Sequence, residues 1–322
     1  MVMLWAGSAC TTAPQTRPKT TAAVDAAIPA DEPHFGRDFW AHWGDGNAEL
    51  AGYELTFPRY GAPRTGVAVT IFVTETFANS ARVKSDPGNR PPSDEFPVMK
   101  LNLVHDFQTG IYDYNEMASR FVALAPVNGR PAGALSKVSF SSQEWCGHVY
   151  QQALFDETSI RVTLHSYFDG EADQERMLEY PANGMAEDAL HHWARGLAWP
   201  ALAPGESRSA PLLPSLQRSR HQHQNLAWTT ATLARSAAAE EVTTPAGNFI
   251  VERFSARIEG GREWTFHVEQ AEPHRIVRWE SSDGERADLL GAARLPYWKM
   301  NGPGFEDELK KLGLAPRVSR MP

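Results

Sequence analysis

The chain has 322 residues, 42% of them hydrophobic and 22% charged, with a formal net charge of −8. That composition supports a sizeable buried core and excludes general disorder, and an acid excess without clustered Lys and Arg excludes a general nucleic-acid surface. No apolar run approaches the ~20 residues of a membrane-spanning helix.

The first ten residues, MVMLWAGSAC, form a short apolar opening with small residues ahead of Cys10. They resemble a bacterial lipoprotein signal, although no Lys or Arg precedes Arg17 to give the basic start such signals carry. The resemblance implies lipidation at Cys10 and a membrane-anchored lipoprotein of the bacterial cell envelope, facing the periplasm or the outside. Residues 11–34, rich in Thr, Ala and Pro, lack the aromatic area to order themselves and read as a tether. Residues 35–322 then form a single large β-rich domain, with possible halves 35–182 and 183–322.

Aromatic density begins at Phe35, Phe39, Trp40 and Trp43; Phe39 and Trp43 share a helical face, and the group reads as an N-terminal seal on the core. Strands are expected at 49–57, 65–77, 98–107 and 111–124. The second is almost continuously apolar or Thr, as in a strand covered on both faces, and the third alternates at Met99, Leu101, Leu103, His105 and Phe107. Gly110 favours a hairpin between the third and fourth. Residues 82–97, with Asp86-Pro87-Gly88, are turn chemistry. The stretch 135–168 alternates again through Val138 and Phe140 and through Ile160, Val162 and Leu164. Between these runs lies the densest chemical cluster, Glu144-Trp145-Cys146-Gly147-His148.

The clearest helix is expected at 185–199, with Met185, Ala189, Leu190, Trp193 and Leu197 on one side and Pro200 as its stop. Residues 204–214 read as an irregular link. Strands resume at 222–233, 248–258, 262–270, 275–281 and 286–295, with hairpin signals at Gly260-Gly261 and Asp283-Gly284. A short closing helix is expected at 305–312, stopped by Gly313. The fold class is mainly β (α+β): a large, antiparallel, curved half-barrel-like sheet with one central amphipathic helix and a short C-terminal helix.

Thr244-Pro245-Ala246-Gly247-Asn248-Phe249, the aromatic strand Trp264-Thr265-Phe266 and Pro273-His274-Arg275-Ile276-Val277 make the second half similar to a bacterial envelope domain family of unknown function, thought to resemble periplasmic lipoprotein carriers. The resemblance implies a concave antiparallel sheet curled around a helix and able to take an apolar ligand. It supplies no catalytic residues and is weakly informative about function.

Cys146 and His148 sit at i and i+2, so on a strand both side chains leave the same face, with Glu144 at the same parity. A bulge at Gly147 would let the imidazole lower the thiol pKa, the arrangement a thiol-dependent hydrolase would use. The bland alternative is a free cysteine acting as a small hydrophobe. His221 and His223 form a His-x-His pair that could hold zinc with a further ligand, but they read as a solvated polar face. No nucleophile elbow, phosphate loop, dinucleotide fingerprint or C-x-x-C pair is present. The expectation is therefore a binding protein without a cofactor. It would take an apolar or amphipathic ligand, or an envelope protein partner, on a concavity lined by Trp193, Trp199, Trp228, Trp264 and Phe266. The thiol enzyme of Cys146, His148 and Glu144 is the alternative.

Overall fold

The computed structural model describes residues 33–317. Its strands are β1 (Ala48–Arg59), β2 (Ala62–Ala78), β3 (Val83–Lys84), β4 (Glu95–Thr109), β5 (Tyr112–Ala123), β6 (Leu135–Glu144), β7 (Gly147–Phe155), β8 (Ser159–Ser166), β9 (Gln174–Glu179), β10 (Met185–Ala186), β11 (Ser207–Leu213), β12 (Thr229–Arg235), β13 (Glu240–Thr244), β14 (Gly247–Ile258), β15 (Glu263–Glu269), β16 (Ile276–Ser281) and β17 (Arg286–Leu295). Three short α-helices interrupt them: α1 (Arg37–Trp43), α2 (Leu190–Ala194) and α3 (Leu216–Gln222).

All 17 strands belong to one curved, open sheet that is antiparallel except where β10 runs parallel to β11. Along the first half, β1, β2 and β4 to β9 pair in succession, with β3 a small hairpin on β2. The second half runs from β11 through β12, β14, β15 and β16 to β17, with β13 folded onto β14. The seam is β1 against β17, so the first and last strands complete the sheet. Each long strand alternates because one face meets the core and the other meets water; β4, for example, buries Leu101, Leu103, His105 and Phe107 while the intervening residues are partly exposed.

One hydrophobic cluster draws on both halves, joining Leu101, Phe140 and Phe155 to Trp193, Phe266 and Trp279. α1 seals one side through buried Trp43, with Phe35, Phe39 and Trp40 packed against the same core.

The central helix is much shorter than the apolar spacing of 185–199 predicts. Met185 and Ala186 form β10, Glu187–Ala189 is a single 3-10 turn, and α2 ends at Ala194. Gly196, at φ 70°, adopts the left-handed conformation that terminates helices. Nor is this segment amphipathic: Glu187, Asp188, His191, His192 and Arg195 are as buried as Leu190 and Trp193. A helix covered on all sides has no polar stripe to place in water. The 204–214 link contains strand β11, and the strand predicted at 222–233 begins only at Thr229, Gln222 being the last residue of α3. Near the C-terminus the closing helix is 3-10, Glu306–Leu312, and stops at Gly313 with φ 68°.

Candidate ligand-binding site

A buried polar joint ties the two halves together. From β4 and β5 come His105, Glu116 and Arg120; from the segment around α2 come Glu187, Asp188 and His191; Arg262, Trp279 and Glu285 come from the second half. Glu187 accepts hydrogen bonds from Arg262 Nε at 2.7 Å and Trp264 Nε1 at 2.7 Å, and its other oxygen accepts from the Ser215 amide at 2.9 Å. Asp188 accepts from the Leu216 amide at 3.0 Å and faces Arg120 Nε at 3.4 Å. Two acids of the joint thus take up the free N–H groups at the start of α3, and Ser215 caps it by accepting from the Arg218 amide.

From that anchor α3 lays Gln217 and His221 over the core face of β4 to β6. His221 Nε2 lies 2.7 Å from Glu116 Oε1; Gln217 donates to Glu116 Oε2 at 2.9 Å and Ser142 to Oε1 at 3.2 Å. Burial opposes ionisation of Glu116, but the His221 imidazole and these hydrogen bonds outweigh it and hold the carboxyl near a pKa of about 2. Glu285 takes the opposite course. Burial pushes it up to about 7, with Arg262 and the Trp279 N–H only partly offsetting that. Burial also drives His105 down to about 4, and its Nε2 lies 3.9 Å from Glu285, beyond hydrogen-bond reach.

Beyond α3, the core face of β7 to β9 is left partly uncovered, forming a cleft of about 240 Å³. Register places Gln151 of β7, Val162 and Leu164 of β8, and Gln174, Arg176 and Leu178 of β9 on its floor. Ser219, His223, Gln224, Asn225 and Leu226 form the roof, from the end of α3 and the chain after it. His223 caps α3 in the left-handed conformation, φ 53°, and pairs with Glu171 from the β8–β9 loop. Arg220 lies over the Phe168 ring at 4.0 Å, so the same loop is clasped from two sides. Gln151 is 3% exposed and lines the cleft with Val162, Leu164 and the end of α3.

Of the candidate site residues singled out in the sequence, His223 lies in the roof of this cleft and the others fall elsewhere. Trp145 and Cys146 form the tight turn between β6 and β7 instead of lying on a strand, so Cys146 and His148 do not share a face. Cys146 is exposed at the hairpin tip, and its amide donates to Glu144 Oε2 at 2.7 Å. The Glu144 carboxylate raises the thiol pKa, the reverse of nucleophile activation. His148 is on the solvent face, in an open groove of about 400 Å³ with Tyr150, His165 and Asp173. Trp193, Trp264 and Phe266 fill the core instead of lining a hollow, with both indole N–H groups satisfied, by Pro200 O and Glu187. Trp228 stacks on Tyr180 at 5.8 Å and donates to Glu179 O, and Trp199 lies near Arg208. His221 and His223 belong to α3 and its cap, each paired with a glutamate, and no cluster with metal-ligand geometry occurs among the described residues. Cys10 lies outside the described residues.

The cleft was missed, though it left a signal. In Val149-Gln151-Ala153-Phe155 a glutamine occupies the buried parity of an otherwise apolar strand, a pattern that calls for a polar partner inside.

The architecture is that of a mainly β protein with one curved, open sheet. Comparison with known proteins finds no matching family model, no matching curated protein and no matching solved structure.

Proposed function

We propose that the protein binds a small amphipathic ligand, without chemistry, in the cleft between β7–β9 and α3, and that it does so as a lipid-anchored protein of the bacterial envelope. The observation that carries this reading is the mixed lining of the cleft, where Gln151, a 3% exposed residue at the buried parity of an otherwise apolar strand, meets Val162 and Leu164. Its carboxamide offers a ligand both a donor and an acceptor within an otherwise apolar bed. Val162, Leu164, Leu178 and Leu226 give that ligand an apolar bed, and Gln174, Arg176 and Asn225 surround its polar end. The resemblance of the second half to an envelope domain family thought to resemble lipoprotein carriers would agree with such a ligand, and the second half supplies the roof of this cleft while the first supplies its floor. Against the thiol-enzyme alternative stands the Glu144 carboxylate beside Cys146.

Full-length protein titrated with anilinonaphthalene sulfonate, then competed with decanoate, tests the proposal. Saturable fluorescence that decanoate displaces is expected. Leu164→Trp, which fills the cleft, should weaken both at least about tenfold, and Gln151→Met, which keeps volume but loses the amide, should weaken decanoate by several-fold. Titrations unaffected by Leu164→Trp would remove the cleft as the site.

A further inference from the structure

We propose that four chain connections at one end of the first half form a rim that docks into the interfacial layer of a lipid bilayer. This inference is independent of the cleft. The turns β1–β2, β4–β5 and β6–β7 and the β8–β9 loop all emerge at the same end, as the registers Gly66 with Phe107, Asn115 with Gln143 and Val149 with Ser166 require. Each carries a large side chain out into solvent: Tyr60 is 56% exposed, Ile111 76%, Trp145 66% and Tyr167 72%. Turn tips ordinarily carry Gly, Asn, Asp or Ser, and these four serve no packing role in the core.

Tyr60, Trp145 and Tyr167 also fall on one line of contacts instead of standing as isolated points. The Tyr60 hydroxyl meets that of Tyr114 at 2.5 Å, Tyr112 lies 6.0 Å from Tyr114, and Trp145 lies 6.1 Å from Tyr112. Beyond Trp145, Gly147 approaches the Tyr167 ring so closely that a Cβ there would sit 2.6 Å from it.

The chemistry selects a bilayer interface over a protein groove. Three of the four exposed tips combine a ring with an N–H or O–H, the pattern of groups that settle where acyl chains meet headgroups, and the fourth is the aliphatic Ile111. Charge narrows the lipid. Arg59 is stacked over Tyr60 and Tyr114 at 4.3 and 5.2 Å, Glu144 is tied to the Cys146 amide and Asp106 to Arg317. Asp169, beside Tyr167, has no partner among the described residues. With Arg59 over the two tyrosine rings, Arg317 on Asp106, Arg64 Nε donating to Arg59 O at 3.2 Å and a free carboxylate nearby, the rim binds by ring burial, without attraction to anionic headgroups.

Cys146, next to Trp145 in the β6–β7 turn, provides the probe. The full chain carrying Cys10→Ser is labelled at Cys146 with nitrobenzoxadiazole and mixed with phosphatidylcholine vesicles, and unlabelled protein is co-sedimented with the same vesicles. The expected result is a blue shift with a several-fold rise in emission, and co-sedimentation that persists in high salt. The triple variant Ile111→Ser, Trp145→Ser and Tyr167→Ser should lower the bound fraction at least about tenfold at an unchanged melting temperature. Three outcomes overturn the proposal: no vesicle binding, binding that needs phosphatidylglycerol and vanishes with salt, or binding that the triple variant leaves intact. A blue shift that needs no vesicles and grows with protein concentration would identify a second copy of the chain as the occupant, and would also overturn it.

Discussion

His105, His192 and Glu285 are buried ionisable side chains that set opposing limits on stability. Burial lowers His105 to about 4 and His192 to about 3, below the ordinary 6.5. A depressed histidine pKa means that the folded chain prefers the neutral ring, so its contribution is complete above pH 6.5 and is lost as pH falls toward those values, on the order of 3 kcal/mol for His105 and about 5 kcal/mol for His192. Glu285 has the reverse sign. Its pKa rises from 4.5 to about 7, so its contribution is complete below 4.5 and is lost as pH climbs through 7, again on the order of 3 kcal/mol. Melting temperature should therefore peak near pH 6. Glu285→Gln, which keeps an acceptor for Trp279 Nε1, should remove the loss that runs from pH 4.5 to about 7 and leave the acid limb in place. His192→Leu should flatten the acid limb, since His192 packs edge-on to Phe72 at 5.5 Å and a leucine there brings no proton. A melting curve that shifts equally at pH 5 and pH 8 in either variant would refute the assignment.

At the scale of elements, sequence periodicity located the strands well wherever one face is buried and the other wet. The expectations 49–57, 98–107, 248–258 and 286–295 each fall within an observed strand, with ends differing by a few residues. It failed around 185–223, for a physical reason. Here Glu187, Asp188, His191, Arg195 and Gln217 are buried in ion pairs and hydrogen bonds with partners far along the chain, and His192 and Arg220 are buried beside them, so polarity no longer marks the solvent side. The candidate site suffered the same way: the roof of the cleft is an α3 that tertiary contacts hold, and its floor residue Gln151 shows in the sequence only as a break in an apolar parity. Two substitutions test whether these short helices depend on their ends. Gly196→Ala meets no atom within 4 Å, so its cost is the left-handed backbone alone, about 1 kcal/mol. Ser215→Ala removes the cap of α3 and should cost about 1 kcal/mol. Because α3 roofs the cleft, the second variant alone should also weaken decanoate binding; equal affinities in the two variants would separate α3 from the site.

For the whole molecule, the question is whether the halves that meet at β1 and β17 unfold separately. Arg195, just past α2, forms a bidentate pair with Glu49 of β1 at 2.6 and 3.2 Å and donates to the carbonyls of Pro273 at 2.8 Å and His274 at 3.0 Å, just ahead of β16. Both charged ends are nearly solvent-free, at 2% and 4% exposure. One side chain therefore fastens the first strand, the central segment and the late meander at a single point, inside a cluster already shared by both halves. A core and a sheet shared in this way couple the halves, so calorimetry and fluorescence should report one coincident transition. Glu49→Ala leaves a guanidinium buried with carbonyl partners only and should cost about 3–5 kcal/mol, while the double variant Glu49→Leu with Arg195→Met should recover much of that loss, because an apolar pair of similar volume avoids the desolvation that the ion pair incurs. If the two probes instead separate into two transitions, and Glu49→Ala shifts only the one belonging to residues 35–182, then the seam is an interface between independent halves and the joint does not unite them.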